Sequence, residues 1–545
     1  MKKLIALLLA LVMVFGLASC GSDDPVTSSS QNPGSTSTQE QPGTNPGNDP
    51  APVEVSDEVT IGWLGTNNIV NPYDTCMAFG FNFSGSTQAF LIYDQLFYST
   101  NEGETKSRIL EDWEWVDDTT LLCHLKSGIT FSNGDPLTGE DIIFTYQLMA
   151  DGFFPIKFMY AFIDTENSYT EDDGLTLYLK TRACTPSAIP FLYTGIMCQE
   201  YIESVGGENI DWYDPAQWVG SGPYAPVEYV QDAYTVYELR DDYWGNAYGY
   251  EQSISKMTVK LYGDSTSMMA DYQNGLLQMA YGVSNDDYVA ALNGEYGNSG
   301  TGIVTNNFVS WLVMETDIGP CADIAVREAV CYAIDTVAMT ETILGELGVP
   351  SSGAFAAAML GYTDEYQYSY DPDHAKQVLA DAGYSSGDVT ISYAYKNTDP
   401  VQVSVAEMVQ GYLLAVGINV ELKPMDEATY SAEETVEGYS DICYYFMSNG
   451  TDDPGQFMGN WMSTGSSAII NRHGIYDEVI NMTNSTHDKA VRTKYLQELQ
   501  QMWYENYDLV PLFELGNGYI YNADVFSECV LHTFSANMVE QVVIG

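Results

Sequence analysis

The side chains that most often carry catalysis are few in this chain and poorly spaced for it. There are five histidines: His124, His374, His473, His487 and His532. None stands beside a second His or a Cys as a metal pair would. Among the nine cysteines, Cys76, Cys123, Cys184, Cys198, Cys321, Cys331, Cys443 and Cys529 show no C-x-x-C spacing, which argues against a zinc or thioredoxin-like centre. Most read as small buried hydrophobes, Cys331 on a helix face with Val330 and Ile334, and Cys443 in a buried strand. Cys184 and Cys198 are a candidate local disulfide in an exported chain. Gly220-Ser221-Gly222-Pro223-Tyr224 sets a serine between glycines, but not at the G-x-S-x-G spacing of a nucleophile elbow. Neither H-E-x-x-H nor a phosphate-binding loop is present. Asp117-Asp118 and Asp172-Asp173 could serve two-carboxylate hydrolysis, yet both fall in polar turns. The expectation is a protein that binds rather than catalyses, with no metal and no cofactor.

The ninth cysteine, Cys20, is placed for a different chemistry. Lys2 and Lys3 precede an apolar run from Leu4 to Leu17, broken only by Gly16. That run is short for a membrane span and has the layout of a secretory signal. Leu17-Ala18-Ser19-Cys20 puts small residues before a cysteine at the cleavage point, as lipoprotein processing requires. Residues 1–19 are thus expected to be a signal peptide. Cys20 would become a lipidated N-terminus that tethers the chain to the outer face of the cell membrane. Residues 20–56 hold Ser, Thr, Pro, Gly, Asn, Gln and acids with no aromatic residue, the composition of a disordered spacer.

The remaining body of about 490 residues suggests two or three lobes. The chain is 45% hydrophobic and 13% aromatic with 41 tyrosines, so it is globular despite a formal charge of −56. That charge excludes nucleic acid as a partner, because phosphates would be repelled. It suits a solvated exported surface, or the steering of cationic ligands such as amines and peptide N-termini.

Elements that could position a site alternate through the body. Val59 to Trp63 and Leu121 to Leu125 read as strands. Thr138 reads as the N-cap of a helix whose apolar face is Ile142, Ile143, Tyr146 and Met149, with Glu140 and Asp141 in its first turn. Val326 to Leu344 reads as one long helix. Asp371-Pro372 opens another, buried through Ala375, Val378, Leu379 and Ala382 and stopped by Gly383. A helix from Val405 to Val416 leads through Gly417 into a strand at Ile418 to Leu422. A helix from His487 to Glu505 precedes a strand from Leu509 to Leu515. The class is α/β with substantially parallel sheets.

Four stretches then resemble the oligopeptide/dipeptide class of extracytoplasmic solute-binding proteins of ABC importers. The first runs from Arg108-Ile109-Leu110-Glu111-Asp112-Trp113 through Leu125-Lys126-Ser127-Gly128 and Phe131-Ser132-Asn133-Gly134-Asp135 to Glu140-Asp141-Ile142. The second is Val219-Gly220-Ser221-Gly222-Pro223-Tyr224, ending at Asp242-Tyr243-Trp244. The third is Val326-Arg327-Glu328-Ala329 to Asp335. The fourth is Tyr370-Asp371-Pro372 to Gly383-Tyr384. They occur in the family's order across nearly all of the body, and the lipidated start fits a binding protein of a Gram-positive cell.

The resemblance implies a two-lobed, periplasmic-binding-protein-like clamshell (type II, cluster C) with an extra subdomain in lobe one. The core of lobe one would be 57–88, 218–305 and 511–545, the extra subdomain 89–217 and lobe two 306–510. The hinge would be two crossings near Asn306 and Val510. It implies a monomer that captures a peptide or related small solute between closing lobes and delivers it to a permease with separate ATPase subunits. Peptide-binding relatives hold the ligand's amino terminus with an aspartate after a strand resembling Asp441 to Asn449. Here that register falls on Gly450, which has no carboxylate; Asp452 or Asp453 could take its place. The implied pocket wall is Trp311, Phe446, Met447, Ser448, Asn449 and Trp461. A surface sensor or adhesin of the same fold, or a binder of oligosaccharide or another non-peptide solute, remains the alternative.

Overall fold

The computed structural model describes residues 57–65, 83–100, 104–150, 160–206, 210–211, 213–250, 252–433, 436, 438–447, 453–464, 474–529, 531 and 542–544. The signal segment, Cys20, the spacer and Cys76 lie outside these residues. No helix among them is long and apolar enough to cross a membrane.

An 11-stranded sheet runs through the body. Its order is Ile418–Met425, Val389–Lys396, Ile442–Met447, Ser299–Met314, Leu509–Asn522, Met279–Val283, Glu58–Leu64, Lys256–Tyr262, Tyr234–Leu239 and Tyr224–Val230, with Gly348–Pro350 paired to Leu509–Asn522. Each half has a parallel trio. Val389–Lys396 lies parallel to both of its neighbours in one half, and Glu58–Leu64 lies parallel to both of its neighbours in the other. Between the trios run two long antiparallel strands, Ser299–Met314 and Leu509–Asn522. The sheet is therefore mixed: each half holds a parallel trio, the strands Tyr234–Leu239 and Tyr224–Val230 add an antiparallel edge to one half, and the pairings where the halves join are antiparallel.

The parallel trio at 389–447 follows from its connections. Asp399 caps the helix Pro400–Ala415 by accepting the Val401 and Gln402 N–H groups at 2.9 and 3.3 Å, and Pro400 supplies a fixed φ at the first helical position. Gly417, at φ 92°, turns the chain back into Ile418–Met425. This crossover delivers the second strand parallel to the first.

The helix predicted over Val326 to Leu344 is two helices, Ile324–Ala333 and Thr336–Ile343. Ile334 is extended, and the Asp335 carboxylate accepts the Ala338 N–H at 3.0 Å. An Asp inside an apolar run offers the backbone a new cap, and here the cap wins over continuation. Helix Gly139–Ala150 differs in a smaller way. The Asp141 carboxylate reaches back to the Thr138 N–H at 2.9 Å and hydroxyl at 3.0 Å, the reciprocal arm of a capping box.

A second, four-stranded antiparallel sheet orders Leu110–Asp117, Thr120–Leu125, Thr176–Lys180 and Tyr169–Glu171. With helix Gly139–Ala150 it encloses a separate core of Phe97, Leu121, Phe131, Ile142, Tyr146 and Leu177. Ala89 to Tyr93 instead pack with Val59, Ile61 and Val259 in the main sheet, so the helix Phe83–Ile92 belongs to that core although 89 was the expected boundary. The Gly220-Ser221-Gly222 segment joins the two. A Cβ at Gly220 would meet the Ile92 carbonyl, and the Gly222 N–H donates to that carbonyl at 2.7 Å. Ser221 is fully buried with no hydrogen-bond partner for its hydroxyl, and Trp244 Nε1 donates at 3.0 Å to its backbone oxygen and to Asp94. The serine between glycines is a docking point of backbone on backbone, not a nucleophile.

Asp508 anchors the second half. It is buried, with Arg327 Nε 3.6 Å away and the Tyr476 hydroxyl donating to it. Desolvation outweighs these partners and lifts its carboxyl to about 7. Because that lies above the unfolded value of 3.8, the folded state holds a proton more readily between those limits. The stability Asp508 contributes is therefore full in acid and is lost as pH rises from about 4 to about 7, by an amount on the order of a few kcal/mol. Asp508→Asn is expected to flatten that part of the profile, as read by urea midpoints at pH 5 and pH 8. Equal slopes in the two proteins would remove Asp508 as the source.

Candidate functional site

The two halves of the main sheet meet along Ser299–Met314 and Leu509–Asn522. Val304 and Tyr519 lie in the core of the first half; Val309 to Met314 and Leu509 to Phe513 lie in the cores of the second. The changeover sits at 305–308 on one strand and 514–518 on the other, four residues beyond Val510. The ladder slips there: Thr305 pairs with Gly516 and Val309 with Glu514, so three residues face one across the break. A bulge of this kind bends and twists a strand pair. Immediately beyond it, Met447, Val309, Glu514 and Val349 form one row across four strands.

The halves also meet away from these strands. Trp115, on the outer edge of the four-stranded sheet, stacks on His487 with centroids 4.0 Å apart and planes at 24°. His487 Nε2 lies 3.1 Å from the Asp118 carbonyl, and Ser187 Oγ donates to Asn484 Oδ1 at 3.3 Å. Helix Gly455–Trp461 packs against the turn Pro186–Leu192 beside them.

The predicted site residues fall on different parts of this frame. Trp311 is 0% exposed, donates Nε1–H to the Ala354 carbonyl at 3.1 Å, and sits 6.0 Å from the Trp503 ring. It is a core tryptophan, because its strand turns that side chain into the second half instead of toward an opening. Phe446 and Met447 pair by backbone with Ser310 and Val309; their side chains, and that of Trp461, lie outside the described residues. Ser448, Asn449, Gly450 and Asp452 lie outside them as well. Asp453 is engaged: Arg492 binds both of its oxygens, at 2.5 and 2.6 Å, and the Gly455 N–H donates to it at 3.0 Å. Asp453 and Arg492 lie beside the Asn484 contact, where the halves meet.

Three features escaped the sequence reading. Trp115 and His487 come together only in three dimensions. Glu514 did leave a signal, a lone acid in the apolar run Leu509 to Leu515. Its neighbours bury it and raise its carboxyl, by desolvation set against one hydrogen bond from the Ala357 N–H.

Cys123, Cys184, Cys198, Cys321, Cys331, Cys443 and Cys529 are free thiols, so Cys184 and Cys198 form no disulfide. Among the described residues no three His, Cys, Asp or Glu side chains gather as a metal site.

Comparisons with known proteins agree on one group. The family model for bacterial extracellular solute-binding proteins, family 5 (middle region), matches residues 104–468. Heme-binding protein A of Haemophilus influenzae is 23% identical over 79% of this chain and 83% of its own length. The dipeptide-binding protein of Escherichia coli is 21% identical over 73% and 78%. The crystal structure of the ABC transporter substrate-binding protein CtaP from Listeria monocytogenes superposes with a TM-score of 0.77 at 18% identity, covering 90% of this chain and 100% of that one. That likeness gives the fold, the two-lobed clamshell of the periplasmic-binding-protein type. These relatives are solute-binding proteins and not enzymes. The chain belongs to the bacterial extracellular solute-binding proteins of family 5.

Proposed function

We propose that this chain is the lipid-anchored substrate-binding subunit of an ABC importer. It takes a peptide or related small solute between its two lobes and hands it to a membrane permease. The observation that carries this reading is the junction: among the described residues two strands cross between the halves, both irregular at the same level, while a separate seam at Trp115 and His487 lies where the halves can part. A ligand bridging the lobes favours the closed arrangement only by binding it more tightly than the open one. Phe446, Met447, Ser448, Asn449, Asp452 and Trp461 are the proposed walls; of these, Met447 pairs by backbone with Val309. Cys20 supplies the tether, and the body works as a monomer.

One observation favours a second reading, a non-peptide solute. The register position for an amine-binding aspartate is Gly450, and Asp453 is held by Arg492. Native mass spectrometry of protein purified without unfolding decides between the two. Mixed co-purified masses fitting short peptides support the first; one discrete mass supports the second.

Closure itself has a test. Ligand should shrink the radius of gyration measured by small-angle X-ray scattering. Trp115→Ala should weaken apparent affinity roughly 2- to 10-fold, the worth of one aromatic stack, by destabilising the closed form. Unchanged scattering on saturation would count against a closing clamshell.

A further inference from the structure

Five carboxylates are buried among the described residues: Asp94, Asp141, Glu315, Asp508 and Glu514. Four are well supplied with partners. Asp94 receives Arg108 at 3.4 Å and Trp244 Nε1 at 3.0 Å. Asp141 accepts from the Thr138 N–H and hydroxyl and from the Gln199 N–H. Glu315 accepts the Gly438 N–H and has further contacts. Asp508 has Arg327 and Tyr476. Glu514 is different. At 9% exposure it has the Ala357 N–H as its resolved donor, and no cationic side chain among the described residues is paired with it.

Its position is as telling as its partners. Glu514 lies at the slip in the crossing strands, opposite Val309 on one side and Val349 on the other. Its carboxylate reaches the backbone of Ala357, and Ala357 and Ala358 are both exposed. The acid thus extends from a buried strand to a small-residue wall open to solvent, at the level where the halves join. A glutamine could accept one backbone N–H equally well. The charge needs another explanation, because an ionised carboxylate so placed loses hydration without gaining a counter-ion.

We propose that Glu514 is a recognition group for a cationic part of the solute, a primary ammonium or a guanidinium, bound where the two lobes meet. This rests on the solute-binding reading and adds the ligand's charge to it. A charge-assisted hydrogen bond in this partly desolvated place is strong and orients the ligand. A net charge of −56, from 75 acids against 19 bases, draws cations toward the protein from a distance, and Glu514 gives them a fixed partner.

The test uses the full chain and matched probes in thermal-shift and calorimetric titrations. The cationic set is arginine, a linear diamine and a pool of free-amine tripeptides. The neutral set is the N-acetylated tripeptides and a maltose-series oligosaccharide. Wild type is expected to prefer cationic probes to their neutral counterparts. Glu514→Gln should weaken those probes about 30-fold or more, while the melting point of the empty protein stays near that of wild type. Cationic binding unchanged in Glu514→Gln overturns the proposal. Wild-type binding of neutral probes alone overturns it too, while leaving the solute-binding reading intact. Binding of no probe in either set overturns the proposal for these ammonium and guanidinium classes; the solute-binding reading is then judged separately by its co-purified masses. Should Glu514→Gln fail to fold, the preference measured on wild type decides.

Discussion

Trp311→Ala is expected to destabilise the protein by about 3–5 kcal/mol, with little change in which solutes bind. The residue is fully buried among Val309, Val313, Phe355 and Trp503, and its indole N–H satisfies the Ala354 carbonyl. Truncation removes the packing and leaves a cavity, and it deprives that carbonyl of its donor. Trp311→Phe separates the two effects. It keeps most of the volume but orphans the carbonyl, for about 1–3 kcal/mol. Urea unfolding gives the stabilities, and titration with any co-purified ligand gives the affinities. If Trp311→Ala left stability intact and abolished binding, the residue would be a pocket wall and its buried orientation here would be wrong for the working state.

The reach of sequence reasoning can be judged from such residues. Helix starts were legible at Asp371 and, to within two residues, at Asp488, each of which accepts N–H groups of the turn that follows; Asp399 caps in the same way a helix that begins at Pro400, five residues before the expected Val405. Asp335 is the same chemistry placed inside an apolar run, where periodicity concealed it. The strand from Leu509 was visible, but not its continuation to Asn522, because its buried residues pass from one core to another without a change of pattern. The family-like segments marked the regions that fold. They could not show that Trp311 turns inward, since strand alternation around a register slip at Ser310 and Trp311 is fixed by the partner strand. Nor could they show that Trp115 lies on His487, 372 positions away in the chain, since no local pattern encodes that meeting.

Asp453 brings structure and function into direct competition, and Asp453→Asn resolves it. The carboxylate and guanidinium are 14% and 5% exposed and joined through two bonds. Removing one member of such a pair strands the other, at a cost of about 3–5 kcal/mol. Arg492 would keep its Nε bond to the Thr483 carbonyl at 2.7 Å but lose its counter-charge. Asp453→Asn should therefore lower the urea midpoint sharply while leaving the choice between free-amine and acetylated peptides unaltered. Arg492→Met alone should cost a similar amount. The double variant should be less damaged than the two single losses added together, because neither charge is then left alone. The opposite pattern, a stable Asp453→Asn that no longer distinguishes the two peptide forms, would return Asp453 to the ligand. The pairing with Arg492 would then belong to the empty protein, an ion pair that a cationic solute displaces. That outcome would also reassign the cation from Glu514, so the two substitutions together locate the recognised charge on one side of the junction or the other.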